Sequence, residues 1–216
     1  MKYGVLGTGQ VGQELATKLA SLGNEVCMGS RSQESQEAKT WLERVGKRGK
    51  IGTFAEAARF GEVIVNCTQG AHSLEALRLV DKKDLNGKIL IDVANPLDLS
   101  RGMPPILSIC NADSLAESIQ REFPEARVVK ALNTVNCRVM TDPKRVPGDH
   151  DLFICGNDDA AKKTVTALLR EFGWKSIVDL GDITNARATE QLMPIWIRLW
   201  GKLGTADFNF RIVKAA

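Results

Sequence analysis

The chain has little of what hydrolytic or metal-assisted chemistry draws on. Its 216 residues include two histidines, one tyrosine and five cysteines. Neither His72 nor His150 reads as part of a charge relay, and no Cys-x-x-Cys spacing occurs. The cysteines (Cys27, Cys67, Cys110, Cys137 and Cys155) are odd in number, scattered, and mostly in apolar, strand-like settings. That suits buried thiols in a reducing cytoplasm and argues against disulfides or a metal site. Charge of one sign is also lacking: 29 basic against 26 acidic side chains leave +3, too weak a field to argue for nucleic acid or a membrane surface. The basic stretch Lys47-Arg48-Gly49-Lys50 reads as a solvated loop before a third strand. No apolar run approaches the ~20 residues of a membrane-spanning helix. No signal-peptide succession opens the chain, and there are no internal repeats. The expectation is a cytoplasmic globular chain with no metal ligands and no side chain assigned as catalytic.

Glycine, by contrast, is abundant, with nineteen. Three of them form Gly7-x-Gly9-x-x-Gly12, a spacing that means little unless a strand precedes it and a helix follows. Lys2 to Leu6 is short and β-compatible. Val11, Leu15, Leu19 and Leu22 then recur on one helix face, and Gly23 suits the left-handed residue past a helix end. Glu25 to Met28 follows as a second strand. The context holds, so the segment reads as a dinucleotide-binding turn. Gly7 permits the tight turn, Gly9 lets the backbone approach a pyrophosphate, and Gly12 lets the helix pack close. Thr8, Gln10 and Val11 supply backbone donors at the helix N-terminus.

A site for NAD would place Asp or Glu at the end of the second strand, where this chain has Gly29-Ser30-Arg31-Ser32. The planar fork of Arg31 and the hydroxyls of Ser30 and Ser32 match a 2′-phosphate, which favours NADP(H). The other reading makes Ser30 and Ser32 caps of the following helix and leaves Arg31 solvated.

Further along, strands and helices alternate. A helix over about 33 to 47 leads to a third strand at Ile51 to Phe54, and Thr53 with Glu56 forms a capping pattern. Val63 to Cys67 is a strand buried on both faces, followed by the polar loop Thr68-Gln69-Gly70-Ala71-His72-Ser73. Lys88 to Val93 is the fifth strand and ends at Ala94-Asn95-Pro96. Ser114 and Glu117 cap another helix, and Arg127 to Ala131 is the sixth strand, ending at Leu132-Asn133-Thr134. The alternation implies an α/β fold, a Rossmann-type doubly wound parallel sheet whose ligands lie at the carboxyl ends of its strands.

After Pro143 the texture changes. A polar loop leads to a strand at Leu152 to Cys155, a helix near 158 to 172 and a strand at Ser176 to Asp179. Glu190 to Leu203 is an unusually apolar helix that needs contacts over a broad arc, from a small lobe, a partner subunit or a flat cofactor ring. Pro194 either begins this helix or kinks it. Asp207 to Val213 alternates like a terminal strand. The expected division is 1–141 as an NADP-binding domain and 142–216 as a small C-terminal α/β lobe that holds the acceptor site and a dimer contact.

GTGQVG, the Gly-Ser-Arg-Ser strand end, Lys130-Ala-Leu-Asn-Thr134, Glu190-x-Leu192-x-x-x-Trp196 and Phe208-Asn-Phe-Arg-Ile-Val-Lys214 together make the chain resemble the NADPH-dependent deazaflavin coenzyme (F-420) reductase family. The resemblance covers nearly the whole chain. It implies NADPH across Gly7 to Gly12, its 2′-phosphate at Ser30 and Arg31, and its nicotinamide near Ala94 and Asn95, with Thr68 also among the cofactor-binding residues. It implies a second planar ring bordered by His72, Asn133, Thr134, Met193, Pro194 and Trp196. The expected activity is hydride transfer between NADP(H) and a deazaflavin or flavin, in a homodimer.

Relatives on this fold reduce other acceptors, so an imine, a ketone or a ferric chelate is the alternative, and a non-catalytic NADP(H) sensor is a third reading. Imine reductases typically carry a longer helical C-terminal domain than the residues here allow. His72 could bond a cofactor group or merely begin a helix, and His150 is expected to be solvated. Lys130 could reach a ligand or serve as an ion-pair partner.

Overall fold

Six strands build the parallel part of the sheet in the computed structural model, which describes residues 1–215. They are β1 (Lys2–Leu6), β2 (Glu25–Ser30), β3 (Gly49–Thr53), β4 (Val63–Asn66), β5 (Ile89–Asp92) and, beyond a two-stranded ribbon of β6 (Leu97–Asp98) and β7 (Ile106–Leu107), β8 (Arg127–Ala131). Two more strands, β9 (Asp151–Gly156) and β10 (Ser176–Asp179), complete eight in the order β10-β9-β8-β5-β4-β1-β2-β3. The order reverses between β1 and β4, where a doubly wound sheet opens its ligand crevice.

Helices cover both faces. One face carries α1 (Gln10–Ser21), α2 (Gln36–Val45), α6 (Cys137–Thr141) and α7 (Asp159–Phe172), whose Leu15, Trp41, Val139 and Phe172 meet Val5, Ile91 and Val129 of the sheet. The other carries α3 (Phe54–Phe60), α4 (Ser73–Arg78), α5 (Leu115–Glu122) and α8 (Ala186–Gln191), packed over Leu6, Ile64, Leu90 and Val128. Alternation along each short strand sends neighbouring residues to opposite faces, and both faces are apolar, as a covered parallel sheet requires. Thr53 and Glu56 form the capping box of α3, and Ser114 caps α5.

Several expectations give way to tertiary context. Gly49 and Lys50 belong to β3, not to a solvated loop, because they extend the pairing with Val26 and Cys27. Between β8 and β9 the chain carries only the five-residue α6 and a single turn, too little helix to cross over the sheet, so β9 enters antiparallel. β9 and β10 continue the main sheet, and Leu152, Ile154, Val165 and Trp174 share a core with Tyr3 and Leu15. The segment outside the sheet is α8, a second helix α9 (Met193–Leu203) and the last residues.

The apolar stretch 190–203 is two helices that meet at Leu192, and Pro194 stands in the first turn of α9, where a missing N–H costs nothing. The terminal stretch at 207–213 forms no strand. Its backbone reaches Asp151 only through Phe210 O and Ile212 N, while Phe208 and Phe210 turn inward to pack around Trp196. Among the described residues no helix is long and apolar enough to cross a membrane.

Candidate active site at the carboxyl ends of the strands

The three glycines occupy three different steric situations. At Gly7 the backbone takes φ +121°, and an added Cβ would stand 2.6 Å from Cys67 O. At Gly12 a Cβ would stand 2.1 Å from Gly7 O, so helix and turn touch there. At Gly9 a Cβ would meet nothing within 4 Å. Gly9 is also the N-cap of α1 and offers no side-chain cap, leaving the amides of the first turn unpaired by side chains. Open space above uncapped amides at a helix N-terminus is the arrangement that accepts a pyrophosphate, so the residues fit a dinucleotide. A cleft of about 680 Å³ runs from this turn past Ser30, Arg31, Ser32 and Thr68.

At the far end of that cleft the reading of Ser30 and Ser32 as caps fails. Ser35 caps α2 by accepting from Ala38 N, at 3.3 Å. Ser30 is buried and its hydroxyl donates to Ser32 O, which shapes the turn beside Arg31 and commits the one proton that Ser30 was expected to offer a phosphate. Arg31 is exposed and has no ion-pair partner among the described residues. His72 lines this same cleft, away from the wall expected to meet an acceptor, and its Nδ1 lies 3.2 Å from Glu75 Oε2. That carboxylate, one helical turn along, is a partner the sequence reading did not assign. Glu37, also overlooked, lines the cleft too, with Ser35 Oγ donating to it at 2.9 Å.

A second cavity of about 340 Å³ adjoins the first through Cys67, Thr68 and Gln69. Val11, Ala94, Asn95, Asn133, Met193 and Trp196 line it, which brings most of the expected nicotinamide and acceptor residues together. Asn95 Nδ2 donates to Asn133 O at 2.8 Å, and Asn133 Nδ2 donates back to Asn95 Oδ1 at 2.9 Å. Leu132, at φ +65°, a costly conformation for a bulky residue, turns the chain so that this double bond can form. Thr68 Oγ1 donates to Asn66 Oδ1 at 2.7 Å, which anchors the loop shared by the two cavities.

Besides His72, two expected residues lie elsewhere. Thr134 is buried outside the cavity lining, and Pro194 faces a separate outer cavity with Pro105, Ile106 and Arg198. In exchange Leu97, Leu99, Val135 and Met140 line the inner cavity, apolar residues that carry no sequence signal beyond hydrophobicity. Cys67 is a wall and not a nucleophile, since burial pushes its thiol far up and the nearby Asp92 carboxylate adds to this.

The buried Lys130 proves to be an ion-pair partner. Its ammonium donates to Asp92 Oδ2 at 2.8 Å, to Glu190 Oε1 at 2.8 Å and to Ala94 O, with all three side chains essentially unexposed. Burial alone would lower the ammonium, but the facing carboxylates of Asp92 and Glu190 outweigh it and hold it above its ordinary value. His150, expected to be solvated, is half-buried and bonded. Its Nε2 bonds Pro143 O at 3.0 Å, Asn209 Nδ2 reaches its Nδ1 at 2.9 Å, and its ring stands edge-on to Trp174. It secures the final segment to the start of β9.

Comparison with known proteins agrees with this geometry. Residues 2–96 match the family model described as NADP oxidoreductase, coenzyme F420-dependent. The F420-dependent NADP reductase of Methanocaldococcus jannaschii is 32% identical, over 98% of both chains. Metalloreductase STEAP3 of Rattus norvegicus is 31% identical, and the alignment takes in 90% of this chain but 38% of that longer protein. A crystal structure from Arthrobacter sp. FB24 has a TM-score of 0.96 and 51% identity, covering 99% of this chain and all of the other. An imine reductase of Aspergillus terreus, at 15% identity and a TM-score of 0.66, shares the fold, and the match covers 62% of that chain. Full-length similarity to these reductases, on a sheet whose switch point carries the glycine turn, establishes that the chain belongs to the family of F420-dependent NADP reductases.

Proposed function

We propose that this protein is an NADP(H)-dependent oxidoreductase that exchanges hydride between NADP(H) and a deazaflavin of the F420 type. The observation that carries the reading is the junction of the two cavities across Cys67, Thr68 and Gln69, one headed by the glycine turn and the other walled by apolar side chains. When bound, the nicotinamide and deazaflavin rings supply the redox chemistry themselves. The chain binds, orients and dries. Gly7 to Gly12 and the first turn of α1 hold the pyrophosphate, and Arg31 with the Ser32 hydroxyl donates to the 2′-phosphate, while Ser30 holds the turn between them by donating to Ser32 O. Asn95 and Asn133, locked to each other, give a rigid polar shelf near Ala94. Met193, Trp196, Leu97 and Leu99 keep water from the inner cavity, where stacked rings need contact distance.

Two further features belong to this reading. The segment after residue 141 supplies the acceptor wall through α9. The exposed Ile195, Trp200 and Leu203 on that helix form the contact of a homodimer. All five cysteines are free, which supports a reducing, cytoplasmic setting.

The test is anaerobic spectrophotometry with NADPH and a panel of F420, FMN, FAD and ferric citrate. Bleaching of the deazaflavin well ahead of the other acceptors is the expected outcome. Preference for the ferric chelate would move the assignment toward the chemistry named for the metalloreductase relative. Tight NADPH binding with no acceptor reduced would make the chain a sensor.

A further inference from the structure

Behind the inner cavity, with none of their side chains in its lining, lies a closed set of buried charges. Lys130 on β8 sits in register with Asp92 on β5, and both point to the face covered by α5 and α8. Glu190, on α8, completes the set. Its carboxylate accepts from Lys130 Nζ and from the amides of Leu115 at 2.9 Å and Ala116 at 3.2 Å, in the first turn of α5. Asp92 Oδ1 accepts from Asn66 Nδ2 at 2.8 Å and from Ala94 N at 3.3 Å. Every carboxylate oxygen has a donor, and the helix N-terminus offsets the excess negative charge.

Such a cluster is a poor way to gain stability. Removing three charges from water costs about as much as their attraction returns, and apolar residues of the same volume often do as well or better. Directional contacts, however, fix distances that apolar packing leaves adjustable. Here they join the two walls of the cavity. Lys130 holds the Ala94 carbonyl, next to Asn95. Glu190 stands three residues before Met193, and the joint between them is stiff: Leu192 keeps helical angles (φ −69°, ψ −20°), and its carbonyl accepts from Trp196 N at 3.0 Å.

We infer that Glu190 is a positioning residue which, through Lys130, sets the separation between the Ala94–Asn95 shelf and the Met193–Trp196 wall, and so the fit of the acceptor ring against the nicotinamide. The inference rests on the proposed function and deepens it. Its consequence is that breaking the link leaves dinucleotide binding intact, because the glycine turn and Arg31 lie on other elements, while the reaction slows.

The experiment compares the wild-type chain with Glu190→Gln, measuring NADPH affinity by fluorescence and turnover per bound NADPH. Affinity is expected to stay within about two-fold, while kcat falls by about ten- to hundred-fold, the scale of a small misplacement at a reacting centre. The primary isotope effect with NADPH deuterated at C4 is expected to rise as the chemical step becomes limiting. A role in stability alone would lower the melting temperature and leave kcat per bound NADPH and the isotope effect unchanged, which overturns the inference. If Glu190→Gln does not fold, the triple variant Asp92→Asn/Lys130→Met/Glu190→Leu, which leaves none of the three charges buried, carries the same measurements. Its kcat is expected to fall likewise, and an undiminished kcat overturns the inference. A wild-type chain that reduces no acceptor takes down both readings, whereas an active wild type with equally active variants takes down only this one.

Discussion

An added methyl group would do opposite things at two of the three turn glycines. At Gly12 it would collide with Gly7 O at 2.1 Å, a backbone atom that cannot yield without moving the turn. Gly12→Ala is therefore expected to lower the thermal midpoint as well as NADPH affinity. Gly9→Ala is expected to fold normally, because its Cβ would enter open space, yet to bind NADPH poorly because that space is where the pyrophosphate must approach. Calorimetric melting paired with NADPH titration of both variants separates the cases; equal melting temperatures would contradict the assignment of roles. Arg31→Ala tests the other end of the cleft. Loss of a charged hydrogen bond should weaken NADPH by about 1.5–3 kcal/mol, with NADH almost unaffected. Equal losses for both would remove the 2′-phosphate from Arg31.

Between elements, charge decides the fit of α8 against α5. Arg187 Nε donates to Glu117 Oε2 at 2.8 Å, and Ser114 Oγ donates to the same oxygen at 2.7 Å. The Arg187 guanidinium, against the opposing effect of burial and with help from Ser114, holds the Glu117 carboxyl below its ordinary value. A carboxyl depressed in the folded state contributes stability that is complete above the unfolded value, about 4.3, and is lost as pH falls through the lower folded value. Urea unfolding from neutral pH to pH 2 should therefore show wild type more stable than Glu117→Gln at neutrality, with the gap closing in acid. A gap that stayed constant would deny the pair this role. The neighbouring triad predicts a larger effect. Lys130→Met leaves Asp92 and Glu190 buried and unpaired, and a loss of about 3–5 kcal/mol is expected in the same assay.

For the whole molecule, the proposed dimer is the testable point. Ile195, Trp200 and Leu203 are 51%, 43% and 54% exposed on α9, unusual for large apolar side chains grouped on one helix. Sedimentation equilibrium should give twice the chain mass for wild type and the single mass for Trp200→Glu/Leu203→Glu; a monomeric wild type would end the idea.

The local order of the chain determined a great deal. Gly7, Gly9 and Gly12 between a strand and a helix, and Arg31 where an acid would mark NAD, were legible because turn sterics and helix ends act over a few residues. The strands at 63–66 and 89–92 were legible because burial on both faces leaves a nearly unbroken apolar run, and the strand at 2–6 because a short β-compatible segment runs directly into the glycine turn. Tertiary structure alone decided what depends on distance along the chain. It reversed β9, divided the apolar stretch into two helices at Leu192, and kept 207–213 out of the sheet by spending Phe208 and Phe210 on Trp196. It moved His72 to the dinucleotide cleft and Pro194 to the outer surface, since a loop or helix residue shows its direction only once its element is docked. It also brought Glu190 to Lys130, sixty positions away, because a buried ammonium takes whichever carboxylate the packing delivers.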